Sequence, residues 1–107
     1  MTTPSPETAQ APSPDYGQAV ATVQLEDDRV RVTEWRFAPG TQTGRHRHEL
    51  DYVVVPTIAG TMTYETSDGE ATRELFVGAS YSRPAGGEHN VINTTDAEFA
   101  FVEVELK

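Results

Sequence analysis

The amino-acid sequence predicts an all-β domain, and two observations support this. Short runs rich in Val, Thr, Tyr and Phe alternate between apolar and polar residues, as strands buried on one face do, and helical periodicity is absent. Proline and glycine fall between these runs, where they end strands without interrupting a hydrogen-bonded ladder. We therefore expect seven or eight short strands.

The strands can be assigned in chain order from the alternation and from the turns that separate them. The predicted strands are 30–37, 45–55, 61–66, 70–77, 78–83, 89–93 and 98–106. The turn Ser67-Asp68-Gly69 is a hairpin signal between the third and fourth of them. A jelly-roll barrel and an immunoglobulin-like sandwich both fit this pattern.

Composition indicates one small domain preceded by a tail. Residues 1–17 are rich in Thr, Ser and Pro and contain almost no large apolar residue, which predicts a flexible segment. Residues 18–107 remain for the fold. A domain of roughly 90 residues often gains stability by pairing with a second subunit, so we expect a homodimer.

Charge and cysteine content exclude several classes of partner and site. The net charge is −9, with 8 basic and 17 acidic residues, which makes nucleic acids and anionic membrane surfaces poor partners. The chain has no cysteine, so disulfides and thiolate ligands are excluded. No apolar run is long enough to span a membrane, and the features of a secretory signal are missing, so we expect a cytoplasmic protein.

His46 and His48 form a His-x-His pair in a predicted strand. Because side chains alternate along a strand, both rings leave the same face, about 6–7 Å apart at the backbone, and can converge on one ion. His89, the only other histidine in the chain, follows a Pro-x-Gly turn that can aim its side chain inward. Spacing alone leaves two interpretations open: a metal site, or exposed histidines that cap or hydrogen-bond.

Two longer patterns around these histidines resemble the cupin family. Residues 40–60 resemble the first cupin motif, G-x5-H-x-H-x3,4-E-x6-G. Residues 78–93 match every fixed position of the second motif, G-x5-P-x-G-x2-H-x3-N. The segments 46–56 and 101–107 are also similar to small cupins assigned to beta-alanine degradation. The two motifs lie in the right order and cover most of the expected fold.

The resemblance implies a cupin-type jelly-roll β-barrel of two antiparallel sheets with a metal inside one mouth. It implies that His46, His48 and His89 hold a divalent transition metal (Fe, Mn, Ni or Zn), since imidazole suits all four. An open coordination position would bind substrate or dioxygen. Cupins include dioxygenases, isomerases, decarboxylases, storage proteins and sensors, so the resemblance does not choose a reaction.

One position departs from the cupin pattern. The family places a ligand Glu three or four residues after the second histidine, where this chain has Tyr52 and Val53. Glu49 and Asp51 are out of phase with His48, so only a local bulge would turn one of them toward the ion. Without that carboxylate the ion would keep its full charge and favour an anionic co-ligand.

Two further residues are candidates for contact with a ligand. Tyr52 is in phase with the histidines and could donate a hydrogen bond to the ligand, or simply pack inside the barrel. Arg83 lies six residues before His89, and Arg45 and Arg47 flank His46. A guanidinium group recognises carboxylates, but salt bridges to surface acids are the alternative.

The acids of the last predicted strand and four aromatic residues also have two interpretations each. Glu103 and Glu105 alternate with apolar residues in the last predicted strand, which indicates a solvated acidic face or, for one of them, a general base in the cavity. The candidates for a pocket wall, which could equally belong to the core or to a dimer interface, are Trp35, Tyr64, Tyr81 and Phe99.

Taken together, these features predict a mononuclear metalloenzyme, dioxygenase-, isomerase- or lyase-like, that acts on a small carboxylate-bearing metabolite. Tyr52 and Arg83 are its predicted catalytic residues. The alternative is a non-catalytic cupin that binds or senses a small ligand and whose metal is structural or vestigial. An immunoglobulin-like module would bind no stoichiometric metal at all.

Overall fold

All regular structure in the computed structural model, which describes residues 16–107, is β-strand. The strands are β1 (Gly17–Gln18), β2 (Val20–Glu26), β3 (Val30–Phe37), β4 (Thr41–Gln42), β5 (His46–Arg47), β6 (Tyr52–Ile58), β7 (Gly60–Thr66), β8 (Gly69–Leu75), β9 (Tyr81–Arg83), β10 (Glu88–Ile92) and β11 (Phe99–Leu106). The all-β prediction is therefore confirmed. Within residues 16–107, no helix has the length and apolar character needed to cross a membrane.

Strand boundaries differ from the predicted ones in several places: β2 was not predicted, the predicted strand 78–83 is reduced to β9, and the segment around the first two histidines is interrupted. The predicted strand 45–55 is divided into β5 and β6, because residues 48–51 leave the extended ladder between them. Pro56 does not end β6, which continues to Ile58. The neighbouring strand β11 shifts register between Ala100 and Phe101, opposite this proline, and the irregularity accommodates its missing N–H group.

The start of the fold lies close to the end of the predicted tail. Residues 1–15 of that tail are outside the described part of the chain. Gly17, its last residue, pairs with Thr41 in a parallel β1–β4 ladder. This ladder is the one parallel pairing among the described strands.

The strands form two sheets that face each other across the core. One sheet has the order β1-β4-β10-β7-β8, with β5 also paired to β10, and the other has the order β2-β3-β11-β6-β9. Apart from β1–β4, neighbours in both sheets run antiparallel, which confirms the predicted jelly-roll arrangement. Because each sheet buries one face, a cavity between them is walled by the inward side chains of both.

Three stacked phenylalanines fill the middle of the core. Phe37 of β3 packs against Phe99 and Phe101 of β11, with ring centroids 4.7 and 5.4 Å apart. Side chains alternate along β11, so the next inward position after Phe99 and Phe101 is Glu103. The same strand therefore supplies the apolar core and, further along, a buried acid, and Phe99 belongs to the core rather than to a pocket wall.

Asn93 closes the turn that leads from β10 towards β11. Its side chain is fully buried, and its amide nitrogen donates to the carbonyl oxygens of Phe37 and Ala97, both at 2.9 Å. Its amide oxygen accepts hydrogen bonds from the backbone and the hydroxyl of Thr95. The second cupin motif thus ends on a residue that fixes the turn through its side chain.

Candidate metal centre

Strand pairing brings His46 and His89 face to face. They are direct partners in the short antiparallel ladder between β5 and β10. His48 lies just beyond β5, where its backbone N–H donates to the carbonyl oxygen of Gly87 and its own carbonyl accepts from the N–H of Gly86. Gly86 has a φ of 100°, which a glycine adopts without strain, so the turn before β10 can lie against His48.

The three imidazole rings meet at their Nε2 atoms. The Nε2 atom of His48 is 3.1 Å from that of His46 and 3.1 Å from that of His89. Ligands about 2.1 Å from one ion, at tetrahedral or octahedral angles, are separated by about 3.0–3.4 Å. The ligand atoms of all three residues lie within 4.8 Å of one another, so this triad could hold a metal ion.

A backbone contact fixes the orientation of one ring. The Nδ1 atom of His46 lies 2.9 Å from the carbonyl oxygen of Gly44 and 3.3 Å from the hydroxyl of Thr43. Because a carbonyl oxygen only accepts, Nδ1 carries the proton, and the Nε2 lone pair points to the point where the rings converge. This is the usual support for a metal-binding histidine.

Burial keeps the three imidazoles neutral. Together with the neighbouring histidines, it lowers the pKa of His48 to about 4 and that of His89 to about 3. Burial also lowers the pKa of His46, against an opposing effect of its hydrogen bond to Gly44. Neutral imidazole is the form that binds a metal, so few protons have to be displaced at pH 7.

Tyr52 occupies a sequence position where the cupin motif has its ligand Glu, and its ring packs against that of His48. Its ring stacks on that of His48, with centroids 4.0 Å apart, and its side chain is buried. Burial, aided by the charge of Glu103, raises the pKa of Tyr52 to about 12, so the phenol keeps its proton. It can therefore donate a hydrogen bond to a ligand rather than bind an ion as phenolate.

Neither nearby acid joins the triad. Among the described residues, the cluster of potential ligand atoms contains only the histidines. Glu49 is exposed and lies 4.0 Å from Arg47, while the carboxylate of Asp51 accepts a hydrogen bond from the backbone N–H of Ala85. Neither acid is turned toward the triad, and Asp51 is held to the turn that precedes β10.

A small cavity beside His89 is lined by two arginines, among other residues. Its lining, which we call the arginine cavity, consists of Tyr52, Met62, Tyr64, Arg73, Tyr81, Arg83 and His89, and its volume is about 50 Å³. The guanidinium carbons of Arg73 and Arg83 lie 3.5 and 5.6 Å from the centroid of the Tyr81 ring. Neither arginine forms a salt bridge within residues 16–107.

The other arginines near the histidines behave differently. Arg45 pairs with Glu88 at 3.5 Å, and Arg47 donates to the carbonyl oxygen of Gly86 as well as lying near Glu49. Arg45 and Arg47 therefore lie in salt-bridge contact with surface acids, the alternative that the sequence left open, whereas Arg83 lines the arginine cavity. Sequence reasoning missed Arg73, because β8 and β9 belong to different sheets and only the packing of the two sheets brings its guanidinium over Tyr81.

A larger cavity lies on the other side of the triad. This glutamate cavity has a volume of about 300 Å³ and is lined by Arg31, Thr33, Trp35, Thr43, His46, Arg47, His48, Glu103 and Glu105. Glu103 is buried and hydrogen-bonded by the Trp35 side chain, while Glu105 is paired with Arg31 at 3.3 Å. Burial, aided by Glu105, raises the pKa of Glu103 to about 7. Glu103 therefore lines the cavity, one of the two positions that the sequence left open, and does not belong to a solvated acidic face.

Known proteins resemble this chain in sequence and in fold. The family model for the cupin domain matches residues 33–105. A protein from Pseudomonas aeruginosa named beta-alanine degradation protein BauB is 57% identical over 90 residues, 84% of this chain and 95% of that protein.

Solved structures give the same relationship. A cupin domain from Bordetella pertussis is 55% identical, with a TM-score of 0.84 over 86% of this chain and 96% of that chain. A double-stranded β-helix protein from Klebsiella pneumoniae is 26% identical, with a TM-score of 0.69 over 90% of this chain and 81% of that chain. With its two sheets, its histidine triad and these matches, the chain belongs to the cupin family.

Proposed function

We propose that this cupin is a mononuclear metalloenzyme that acts on a small carboxylate-bearing metabolite at a centre formed by His46, His48 and His89. The observation that carries the proposal is the convergence of the three Nε2 atoms at distances suited to one ion. Fe, Mn, Ni and Zn all bind such a set of imidazoles. A bound ion would supply Lewis acidity and, if redox-active, electron transfer.

The arginine cavity supports the choice of an anionic ligand. Two guanidinium groups that have no carboxylate partner within residues 16–107 are poised around the Tyr81 ring, next to His89. We assign Arg83 and Arg73 to holding the carboxylate, because guanidinium binds it through paired hydrogen bonds. The protonated phenol of Tyr52 faces the same cavity and donates a hydrogen bond there.

The name of one relative supports the choice of substrate class. The Pseudomonas aeruginosa protein is named for beta-alanine degradation, and this chain covers 95% of its length at 57% identity. We therefore propose three-carbon carboxylic acids as the first compounds to test. The reaction type, dioxygenase-, isomerase- or lyase-like, is left to the products that such a test identifies.

Elemental analysis of protein purified without a histidine tag tests the metal centre. We expect close to one transition-metal ion per chain in the wild type and none in the double variant His46→Ala/His48→Ala. Glu49→Gln is the matched control, since Glu49 adjoins His48 but is exposed and outside the cluster. A double variant that binds metal as well as the wild type would overturn the proposal.

A non-catalytic ligand binder remains the second candidate. The absence of a carboxylate among the described cluster residues favours it, because the chain departs there from the family's ligand pattern. A metal-loaded enzyme should convert β-alanine, 3-hydroxypropionate or propionate, and His89→Ala should abolish turnover while the fold persists. A binder should be stabilised by one of these acids without any turnover.

We also propose a cytoplasmic homodimer. Strand β2 supports the dimer, because it is an edge strand whose residues are all exposed, including Val20, Val23 and Leu25 at 50–60%. Analytical ultracentrifugation should give twice the monomer mass, and Val23→Asp/Leu25→Asp should return the protein to a monomer. A wild-type monomer at micromolar concentration would contradict the dimer.

A further inference from the structure

The two cavities that border the histidine triad differ in their charged groups: the arginine cavity has two guanidinium groups without a salt bridge in the described chain, and the glutamate cavity has the buried acid Glu103. His89 lines the arginine cavity, and His46 and His48 line the glutamate cavity. The triad, whose Nε2 atoms converge, therefore contributes at least one residue to the wall of each cavity. One side therefore offers cationic donors and the other a buried acid.

Glu103 is a carboxyl group with few partners. It occupies an inward position of β11, opposite Thr33 of β3 and Val54 of β6. The Trp35 side chain donates one hydrogen bond to it. Within the described chain no lysine or arginine is in salt-bridge distance of Glu103, and Arg31 in the same cavity is engaged by Glu26 and Glu105.

Such a group is costly unless something else binds it. A carboxylate has about four acceptor positions, and buried polar groups are nearly always satisfied by hydrogen bonds. The cavity that Glu103 faces has a volume of about 300 Å³, which is enough for a small metabolite, whereas the arginine cavity has about 50 Å³ and admits only a terminal group. The glutamate cavity therefore accommodates the body of the ligand.

We propose that Glu103 determines ligand specificity by accepting a hydrogen bond from a donor substituent, a hydroxyl or an ammonium group, on the ligand. The carboxylate of the same ligand lies at Arg73 and Arg83, so the substrate class is a short acid with a hydroxyl or amino group on its carbon chain. This inference rests on the proposed function, since it takes the carboxylate anchor from there. It goes beyond that function by requiring a second polar group on the ligand.

Binding of three matched acids to the zinc-loaded protein tests the inference. Propionate, 3-hydroxypropionate and β-alanine share a three-carbon acid and differ in the substituent on the last carbon. Isothermal titration calorimetry should show the two substituted acids binding the wild type roughly tenfold or more tightly than propionate, the range expected for a hydrogen bond to a buried charged acceptor.

Variants at Glu103 separate its effect from chelation by zinc. Glu103→Leu should remove the preference for substituted acids, so that all three bind with similar affinity. Glu103→Gln keeps the shape and an acceptor oxygen and should weaken β-alanine roughly tenfold while changing 3-hydroxypropionate little, because only the ammonium loses a charged partner. Glu98→Gln, an exposed acid paired with Arg36, is the control and should match the wild type.

The outcomes distinguish this inference from the proposed function. A preference that survives in Glu103→Leu, or a wild type that binds propionate as well as the substituted acids, would overturn the role of Glu103 alone. Arg83→Gln should weaken all three acids equally. If none of the three acids binds the zinc-loaded protein, both the carboxylate anchor and the inference that rests on it are wrong.

Discussion

At the scale of single residues, Glu103 is a buried carboxyl whose ionisation is unfavourable. Its carboxyl is buried between two sheets, and its pKa rises to about 7 from an ordinary value of 4.5 because ionisation inside the barrel costs solvation. The groups that face it are Glu105 on its own strand, Trp35 on β3, Tyr52 on β6 and Tyr81 on β9. None of these is a cation, and the arginines that line the same cavity, Arg31 and Arg47, are engaged by other partners.

The raised pKa of Glu103 makes the free energy of unfolding depend on pH. Below pH 4.5 the carboxyl is protonated in both the folded and the unfolded chain, and there is no penalty. Between pH 4.5 and about 7 the unfolded chain ionises first, so the free energy of unfolding falls as pH rises, and above about 7 the loss is constant.

Glu103→Gln should remove this dependence. Relative to the wild type, we expect its free energy of unfolding to rise by roughly 2–3 kcal/mol between pH 5 and pH 8. Urea unfolding of metal-free protein at both pH values measures the difference, and the histidines titrate alike in both proteins. A constant difference between the two proteins, as expected for Glu98→Gln, would refute the buried titration.

At the scale of secondary-structure elements, the contact between β7 and β11 fixes how closely the sheets approach. Gly60, the first residue of β7, has no room for a side chain, because a Cβ atom there would lie 2.7 Å from the Cβ of Phe99. Phe99 in turn is fully buried between Phe37 and its neighbours. The close approach of the β7 backbone to Phe99 therefore requires a residue without a side chain at position 60.

Gly60→Ala should destabilise the protein by about 1–3 kcal/mol, the usual cost of overpacking a core. Thermal unfolding measures it. Gly17→Ala is the matched control, since a Cβ at residue 17 would make only ordinary contacts, 3.7 Å from Thr41. Equal melting temperatures for the two variants would show that β7 moves aside without cost.

The turn after β10 depends on a single side chain. Asn93→Ala would remove a hydrogen-bond partner from the carbonyl oxygens of Phe37 and Ala97 and from the N–H of Thr95, although the exposed Ala97 oxygen keeps the Thr95 hydroxyl as a donor. Leaving buried backbone groups unpaired costs about 1–3 kcal/mol each, so we expect a loss of roughly 2–4 kcal/mol in chemical denaturation. Thr94→Ala, next to it, should cost much less, and a similar loss in both would contradict the assignment to Asn93.

Some elements of the site could be predicted from the sequence, and others could not. The second motif places Pro84, Gly86 and His89 at fixed spacings, so the turn and its histidine could be read from the sequence. The strand ending at Pro56 was predicted wrongly, because whether a proline ends a strand depends on what its neighbour does, and β11 shifts register opposite it. Arg73 joins the cavity because β8 and β9, which belong to different sheets, bring its guanidinium over the Tyr81 ring, a tertiary contact that no local pattern encodes.

For the whole molecule, a bound ion would join segments that are far apart in sequence. The triad links β5, the residue that follows it and β10, which are neighbours in one sheet although His48 and His89 are 41 residues apart in sequence. An ion that binds the folded chain alone stabilises it by about 2.7 kcal/mol when its concentration is 100 times the dissociation constant.

Zinc should therefore raise the melting temperature of metal-free protein in a concentration-dependent way. Differential scanning calorimetry should show no such rise for His46→Ala/His48→Ala, while Glu49→Gln should respond as the wild type does. A rise of the same size in the double variant would mean that zinc binds elsewhere on this acidic protein, and the triad would lose its role in stability.

Trp35 is the chain's single tryptophan, and it stands in the wall of the glutamate cavity with its indole donating to Glu103. All indole emission from the protein consequently originates at one spot beside the proposed ligand position. Ionisation of that acid, entry of a metabolite or loading of a paramagnetic ion would each alter the emission colour or intensity. The unmodified protein thus carries its own optical reporter for screening compounds, with no dye or label attached.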